Sequence, residues 1–218
     1  MEEAIFLIYL QYFYVSNILN VRKEKMPDEL KIYLVRHGQT QFNVEGRFTG
    51  STDVGLTQEG LQLTRTIAEK LRAKKFQAAY HTRLKRSKIT LQEILKYHPK
   101  VTVIEDNRLI ERSYGKLQKQ KHTDFIAKHG KELFDKYHRS YEAVPPGGES
   151  IQMVEVRVLD FIKDLLEKMR REKVSVLICG HSNAMRPFRR YFEGLTIEQM
   201  MALENPFDLI LEYTVAPE

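Results

Sequence analysis

The chain has 218 residues, 42% hydrophobic and 29% charged, a balance typical of a globular protein with one sizeable core. Its 35 lysines and arginines outnumber 29 acidic residues, and the net charge of +6 favours anionic partners without choosing between nucleic acid, lipid headgroups and small phosphates. The one cysteine, Cys179, excludes an intrachain disulfide, and no Cys/His spacing typical of a metal site occurs. A cytoplasmic location is therefore expected.

Strands and helices are predicted to alternate along most of the chain. Short apolar runs predict strands at 31–35, 76–80, 101–104, 174–179 and 209–215. Apolar residues spaced three and four apart predict helices at 57–74, 84–97, 123–141, 151–171 and 183–192. This alternation is typical of an α/β three-layer sandwich, in which a largely parallel central sheet carries helices on both faces.

The beginning of the chain differs from the remainder. We assign residues 1–30 to an N-terminal extension and residues 31–218 to one domain. Residues 4–19 are apolar and aromatic but fall short of the roughly 20 residues that span a bilayer. Basic residues at 22–25 would suit a marginal anchor, so membrane contact is expected only if this segment is translated. The alternative is that translation starts at Met26.

Chemically active side chains follow two of the predicted strands. The first strand ends in Arg36, His37 and Gly38, and the fourth leads into Gly180 and His181. In a parallel α/β sheet, ligands bind outside the carboxyl ends of the strands. We therefore expect the two histidines to lie at one edge of the sheet.

The other two parallel strands lead to further charged residues. The second strand is followed by a basic stretch that contains Arg83, Lys85 and Arg86, and the third leads to Glu111 and Arg112. Position alone does not say which cation or which carboxylate belongs to a site. Together, the strand ends offer two histidines, several arginines and a carboxylate.

This set of side chains has the chemistry that phosphoryl transfer requires. A neutral imidazole attacks phosphorus when one ring nitrogen is free and the other is held by a hydrogen bond. Arginines bind the phosphoryl oxygens with a planar, permanently charged group, and a carboxylic acid protonates the leaving oxygen. No metal ion is expected, because the cationic side chains can neutralise the phosphate.

Two function classes lie outside phosphoryl transfer, a nucleic-acid binder and a catalytically inactive interaction module. The positive charge suggests a nucleic-acid binder, but no helix-turn-helix, zinc-finger or aromatic-stacking motif supports it, so no nucleic-acid partner is expected. A catalytically inactive interaction module would lack a nucleophile, an arginine or an acid, and all three are present.

The stretch LVRHGQTQFN resembles the signature of the histidine phosphatase superfamily, also called the phosphoglycerate mutase-like family. The resemblance implies that His37 becomes transiently phosphorylated and that Arg36 binds the phosphoryl group. Gly38 is expected to let the backbone approach the phosphate, and Asn43 is expected to contact the substrate.

Further stretches resemble later motifs of the same family. GRFTGSTDVGLTQEG implies that Thr49 and Gly50 touch the substrate. TRLKRSKIT places the second phosphate-binding arginine at Arg86 rather than at Arg83. LIERSYG places the acid/base at Glu111, and GHSNAMR implies that the second histidine of the phosphate pocket is His181.

Several stretches are similar to the 2,3-bisphosphoglycerate-dependent phosphoglycerate mutase branch of the family, among them ERSYGKLQ and FEGLTIEQMMALENP. The similarity implies interconversion of 3- and 2-phosphoglycerate, with 2,3-bisphosphoglycerate as the primer and a small phosphorylated substrate as the partner. Arg112, Tyr114, Arg139 and Asn183 are then expected to hold the substrate's carboxylate and second phosphate. Whether the chain forms a homodimer is left open.

The chain also departs from the mutase pattern. His138 stands where the first of two arginines is expected, and His122 stands where a lysine is expected, with Lys121 beside it. Lys119 and Ser182 each replace a glycine, and the segment after VPPGG is short. In a pocket that is open, water can hydrolyse a phosphohistidine. The alternative to a mutase is therefore a metal-independent phosphatase that acts on small phosphate monoesters.

Overall fold

The structure is a computed structural model that describes residues 29–216. The expectations for the apolar segment 4–19 and for a start at Met26 lie outside the described residues. Within the described range, no helix has the length and apolar character needed to cross a membrane.

Five strands form one sheet within residues 29–216, in the order β3-β2-β4-β1-β5. Their bounds are β1 (Leu30–Arg36), β2 (Ala78–His81), β3 (Thr102–Glu105), β4 (Val176–Gly180) and β5 (Ile210–Val215). Neighbouring strands among the first four are parallel, and β5 is antiparallel to β1 at one edge. The predicted mixed α/β fold with a largely parallel sheet is confirmed.

Helices cover both faces of this sheet. Their bounds are α1 (Gln41–Val44), α2 (Gln58–Leu71), α3 (Lys85–Leu95), α4 (His122–His129), α5 (Lys131–Arg139), α6 (Ile151–Glu172), α7 (Ser182–Glu193) and α8 (Ile197–Ala202). Ile32 and Leu34 of β1 pack in the cluster that contains α6 and α7 residues. Tyr33 and Val35 point to the opposite cluster, built with α2 and α3. The alternation of a strand's side chains thus separates two apolar layers.

Two features differ from the predicted elements. The helix predicted over 123–141 is two helices, because Gly130 lies between α4 and α5 with a φ of +85°. The short helices α1 and α8 were not predicted. Each is fixed by a capping box, Thr40 with Asn43 and Thr196 with Gln199, rather than by an apolar stripe long enough to recognise.

We predict that Phe161→Ala lowers the free energy of unfolding by about 3–5 kcal/mol, because the ring is 1% exposed in the α6 layer and its loss leaves a cavity. Urea denaturation measures the change. Val156→Ala on the same helix is the matched control, since Val156 is 67% exposed. Equal effects of the two substitutions would contradict this packing.

Candidate active site

The carboxyl ends of β1 and β4 bring the two predicted histidines together. The backbone N–H of His37 donates to the carbonyl of Gly180 at 3.1 Å, which continues the pairing of these parallel strands. The imidazole rings of His37 and His181 lie 4.9 Å apart between centroids, inclined at 54°. Both side chains are buried, so the pair forms a dehydrated centre at this edge of the sheet.

The His37 ring is held in one tautomer. Its Nδ1 lies 2.7 Å from the backbone oxygen of Gly38. A carbonyl oxygen only accepts, so Nδ1 carries the proton and Nε2 keeps a lone pair. Burial, followed by the charges of Arg86 and Arg36, lowers the pKa of His37 well below its ordinary value. At neutral pH the ring is therefore uncharged, the form that can act as a nucleophile.

The His181 ring is anchored from the opposite nitrogen. Its Nε2 lies 2.8 Å from Oγ1 of Thr82, at the end of β2. Its Nδ1 is buried and has no hydrogen-bond partner among the described residues. Burial lowers the pKa of this ring as well. One ring nitrogen of His181 thus remains available to a phosphoryl oxygen.

Arg36 is fixed by the segment that follows α8. Its Nη1 donates to the backbone oxygen of Asn205 at 2.6 Å, and its guanidinium carbon lies 3.9 Å from the centroid of the Phe207 ring. The same phenyl ring lies 6.2 Å from the His37 ring. Burial lowers the pKa of Arg36 to about 10, so the side chain stays charged at neutral pH.

Arg86 lies in α3 and is fully buried, whereas Arg83 and Lys85 are exposed. Its two terminal nitrogens donate to the backbone oxygens of Thr52 and Gly50, at 2.8 and 2.7 Å. Burial lowers its pKa to about 10, which leaves it charged at neutral pH. The geometry thus favours Arg86 over its two basic neighbours as a phosphate-binding residue.

Glu111 occupies the loop after β3. Its Oε1 accepts hydrogen bonds from the backbone N–H groups of Arg112 and Asn183, at 2.8 and 3.1 Å. Asn183 belongs to the first turn of α7, where the helix dipole favours a carboxylate. Glu111 lines the same cavity as Arg36, so the site includes an acid that can exchange a proton with a bound group.

A cavity of about 220 Å³ opens beside these residues. The predicted substrate-binding residues in its wall are Asn43, Thr49, Gly50, Tyr114, Arg139 and Asn183. His37, Arg86 and His181 are more deeply buried and do not belong to this wall. Among residues 29–216, no group of three or more His, Cys, Asp or Glu side chains could hold a metal ion.

The structure gives Gly38 a packing role, and its expected closeness to the phosphate stays a prediction. A Cβ at this position would lie 2.5 Å from Oγ1 of Thr64 and 2.7 Å from the backbone oxygen of Gly60, both in α2. Its N–H donates to Oγ1 of Thr90 at 3.0 Å. The glycine is therefore required by close packing against α2, and its N–H already has a partner within the fold.

Arg112 makes several hydrogen bonds within the fold. Its Nε donates to the backbone oxygen of Glu149 at 2.7 Å, and its Nη2 donates to those of Tyr137 and Ala143. It is buried and does not line the cavity. In this arrangement Arg112 ties the Glu111 loop to α5 and to the segment after it, and its expected contact with the substrate stays a prediction.

Sequence reasoning did not identify two arginines of the cavity wall, Arg47 and Arg186. Arg186 donates through Nη1 to the backbone oxygens of Met200 and Met201, and burial lowers its pKa. It shares α7 with Arg189 and Arg190, and helix periodicity alone does not distinguish an arginine that faces a cavity from one that faces solvent.

Three of the departures from the mutase pattern, His122, His138 and Ser182, lie in the wall of the cavity. His122 and His138 line the cavity, whereas Lys121 is exposed and does not. Lys119 adopts a φ of +75°, a backbone region that favours glycine, which is the residue expected there. Ser182 lines the cavity beside Asn183.

We predict that Phe207→Ala weakens the binding of inorganic phosphate by about 5- to 30-fold. The reason is the loss of the ring that holds the Arg36 guanidinium in place for phosphate, a half-buried cation–π contact worth about 1–2 kcal/mol. Isothermal titration calorimetry measures the change. Tyr97→Ala is the matched control, because Tyr97 stacks on Arg72 at 5.2 Å on the surface. Unchanged phosphate affinity in Phe207→Ala would contradict the role given to this ring.

Comparison with known proteins agrees with this geometry. The family model "Histidine phosphatase superfamily (branch 1)" matches residues 32–213. A 2,3-bisphosphoglycerate-dependent phosphoglycerate mutase of Brucella melitensis is 36% identical over 177 residues, which are 79% of this chain and 86% of that protein. A second relative of the same name, from Gloeobacter violaceus, is 37% identical over 175 residues, which are 79% of this chain and 80% of that protein.

A solved structure shares the fold. The mycobacterial glucosyl-3-phosphoglycerate phosphatase has a TM-score of 0.71 with this chain at 22% identity, covering 81% of this chain and 85% of that one. At that identity the likeness concerns the fold alone. The family match over most of the chain, together with two buried histidines and the two arginines beside them, shows that the chain belongs to the histidine phosphatase superfamily.

Proposed function

We propose that this protein is a 2,3-bisphosphoglycerate-dependent phosphoglycerate mutase that interconverts 3- and 2-phosphoglycerate through a phosphohistidine at His37. The observation that carries the proposal is the two-ended site. The buried histidines and Arg36 form one end, and the cavity beyond them contains Arg47, Arg139 and Arg186. Such a site suits a substrate that has a phosphate at one end and further negative charge at the other. Two relatives at 36% and 37% identity carry the mutase name.

In the first step, Nε2 of His37 attacks a phosphorus of the bound ester, which for a mutase is 2,3-bisphosphoglycerate, in line with the ester oxygen. Arg36 and Arg86 neutralise the equatorial oxygens, and Nδ1 of His181 can hydrogen-bond to one of them once it holds a proton. As the P–N bond forms, the P–O bond breaks and Glu111 gives its proton to the departing oxygen. The products are the phosphohistidine, a neutral hydroxyl and the Glu111 carboxylate.

The return step uses the same groups with their roles reversed. A hydroxyl oxygen attacks the phosphorus of the phosphohistidine while Glu111 takes the hydroxyl proton and the P–N bond breaks. For a mutase that hydroxyl belongs to the bound monophosphoglycerate, on the carbon next to the one that keeps its phosphate. The 2,3-bisphosphoglycerate that forms then re-orients and gives its other phosphoryl group to His37. For a phosphatase the attacking oxygen is that of water, and inorganic phosphate leaves.

The primer is expected to fit the same cavity. 2,3-Bisphosphoglycerate supplies the phosphoryl group that charges His37 before the first turnover. Arg47, Arg139 and Arg186 would hold its second phosphate and its carboxylate, since all three line the wall beyond Arg36. Arg139 lies 3.6 Å from the carboxylate of Glu204, an exposed ion pair that an incoming anion can replace.

A second candidate function, hydrolysis of phosphate monoesters, is favoured by one observation. His122 and His138 occupy the wall where the mutase pattern has cations, and burial lowers the pKa of both rings. Uncharged rings hold a second anionic group more weakly than a lysine and an arginine would. A phosphoglycerate bound beside the phosphohistidine would then escape more readily, leaving the phosphohistidine to water.

Phosphorus NMR with 3-phosphoglycerate separates the two functions, with and without a trace of 2,3-bisphosphoglycerate and without added metal. For a mutase we expect 2-phosphoglycerate to form in the reaction that contains the primer, and not to form in the reaction without it. Accumulation of inorganic phosphate as the main product would contradict the mutase proposal and would establish the phosphatase.

We predict that His37→Ala abolishes turnover and phosphohistidine formation, because no other ring in the site has a free Nε2 beside the phosphate-binding arginines. Labelling with radioactive phosphate from the primer measures both. His129→Ala is the matched control, since His129 is exposed on α4. Residual phosphohistidine in the His37→Ala protein would overturn the assignment of the nucleophile.

We predict that Glu111→Gln slows turnover by about 10²- to 10⁴-fold, the usual contribution of a general acid, while phosphate affinity changes little. The amide oxygen can still accept from the backbone N–H groups of Arg112 and Asn183, so the loop keeps its position. Steady-state kinetics and phosphate titration measure the two quantities. A parallel loss of rate and affinity would assign Glu111 a structural role.

A further inference from the structure

Two imidazoles lie in the cavity wall away from the nucleophile. His122 begins α4 and His138 lies near the end of α5, and their ring centroids are 5.3 Å apart. The Phe134 ring stacks on His138 at 4.9 Å, and the Phe48 ring meets His122 edge-on at 4.5 Å. The rings are thus held in place by aromatic contacts.

One ring nitrogen of this pair has no partner within the described part of the fold. Nδ1 of His138 is buried and has no hydrogen-bond partner among the described residues. A buried polar atom without a partner costs free energy, which a bound group with a complementary atom recovers. Both rings line the cavity, so a ligand can reach them.

The charges that face the pair are mostly positive. Four arginines come from the segment after α1, the Glu111 loop, α5 and α7: Arg47, Arg112, Arg139 and Arg186. The acidic and phenolic groups of the same wall are Glu111, Tyr114 and Glu204. Glu204 is paired with Arg139, and Glu111 accepts two backbone hydrogen bonds, so neither is a dedicated partner of an imidazolium.

These surroundings favour the uncharged form of both rings in the free protein. Burial, with smaller contributions from His122 and the arginines, lowers the pKa of His138 to about 4. Burial also lowers the pKa of His122. An anion placed against the rings would act in the opposite direction, because a negative charge nearby favours the protonated imidazole.

We propose that His122 and His138 form a proton-linked anion subsite, in which a carboxylate or phosphate at the distal end of a phosphorylated ligand binds together with a proton. The identification of that ligand as phosphoglycerate rests on the proposed function, but the proton uptake requires no turnover. When the anion arrives, a proton from solvent adds to an imidazole nitrogen, and the imidazolium donates to an anion oxygen.

The subsite makes selectivity depend on pH. If binding takes up a proton, lowering the pH strengthens binding, by up to tenfold per pH unit for one proton. A phosphate ester without a second anionic group leaves His122 and His138 neutral, so its affinity does not rise in this way when the pH is lowered. The enzyme therefore discriminates in favour of doubly charged ligands more strongly at pH 5.5 than at pH 7.5.

Two phosphonates test the subsite on the unmodified protein. 4-Phosphonobutyrate matches the spacing between the phosphorus and the carboxylate of 3-phosphoglycerate, and butylphosphonate has a methyl group in place of the carboxylate. Their P–C bonds prevent phosphoryl transfer, so the result is independent of whether the protein is a mutase or a phosphatase. Titration calorimetry at pH 5.5, in buffers of different ionisation enthalpy, counts the protons taken up.

We expect 4-phosphonobutyrate to take up at least about half a proton more than butylphosphonate, and its relative affinity to rise about fivefold or more from pH 7.5 to pH 5.5. His138→Gln and His122→Gln should reduce the excess uptake, whereas the control His129→Gln should retain it. His138→Arg should bind 4-phosphonobutyrate more tightly at pH 7.5 with less excess proton uptake, because its charge is permanent.

Equal proton uptake by the two phosphonates would overturn the proposal, as would an excess that survives both glutamine substitutions. Loss of butylphosphonate binding in the glutamine variants would show that they damage the phosphate end. In that case the His138→Arg protein decides. If 4-phosphonobutyrate still takes up as many more protons than butylphosphonate as in the unmodified protein, the subsite is contradicted. If this difference in proton uptake falls and 4-phosphonobutyrate binds more tightly, the subsite is supported.

Discussion

The hydrogen bond from Nδ1 of His37 to the backbone oxygen of Gly38 is the contact on which the chemistry depends. It forms because β1 ends at Arg36 and the next peptide turns across the carboxyl edge of the sheet, where the His37 N–H still pairs with Gly180. In that tautomer Nε2 keeps its lone pair, and burial beside two arginines keeps the ring from taking up a second proton. This hydrogen bond thus leaves Nε2 free for the nucleophilic role that we propose for His37.

Burying the guanidinium groups of Arg36 and Arg86 costs free energy of desolvation, and hydrogen bonds to backbone carbonyls offset part of that cost. Asn205 accepts from Arg36, while Gly50 and Thr52 accept from Arg86. Carbonyl oxygens stabilise a guanidinium and leave its net charge in place, whereas a carboxylate partner would cancel that charge. The net charge therefore remains available to a phosphoryl group, and its strength grows because water is excluded. Glu111, held by backbone N–H groups, completes a centre that can move a proton as well as bind an anion.

The sequence predicts the sheet and the strand-end histidines because apolar runs and the residues that follow them are local features. The motif resemblance adds Arg86 and Glu111, which position alone leaves ambiguous. The packing role of Gly38 depends on α2, which lies twenty residues further along the chain, and the ties of Arg112 depend on carbonyls of α5 and of the segment after it. The stacking of Phe207 on Arg36 likewise joins the two ends of the domain. Such contacts leave no periodic signal, so only the folded structure shows them.

The atom that carries the phosphoryl group tests the central claim most directly. Protein labelled with nitrogen-15 in its histidines is phosphorylated, denatured in alkali to preserve the phosphohistidine, and studied by phosphorus–nitrogen correlated NMR, with peptide mapping to locate the residue. We predict phosphorus bonded to Nε2 of His37, because Nδ1 is engaged by Gly38. Phosphorus on Nδ1 of His37, or on His181, would contradict the account.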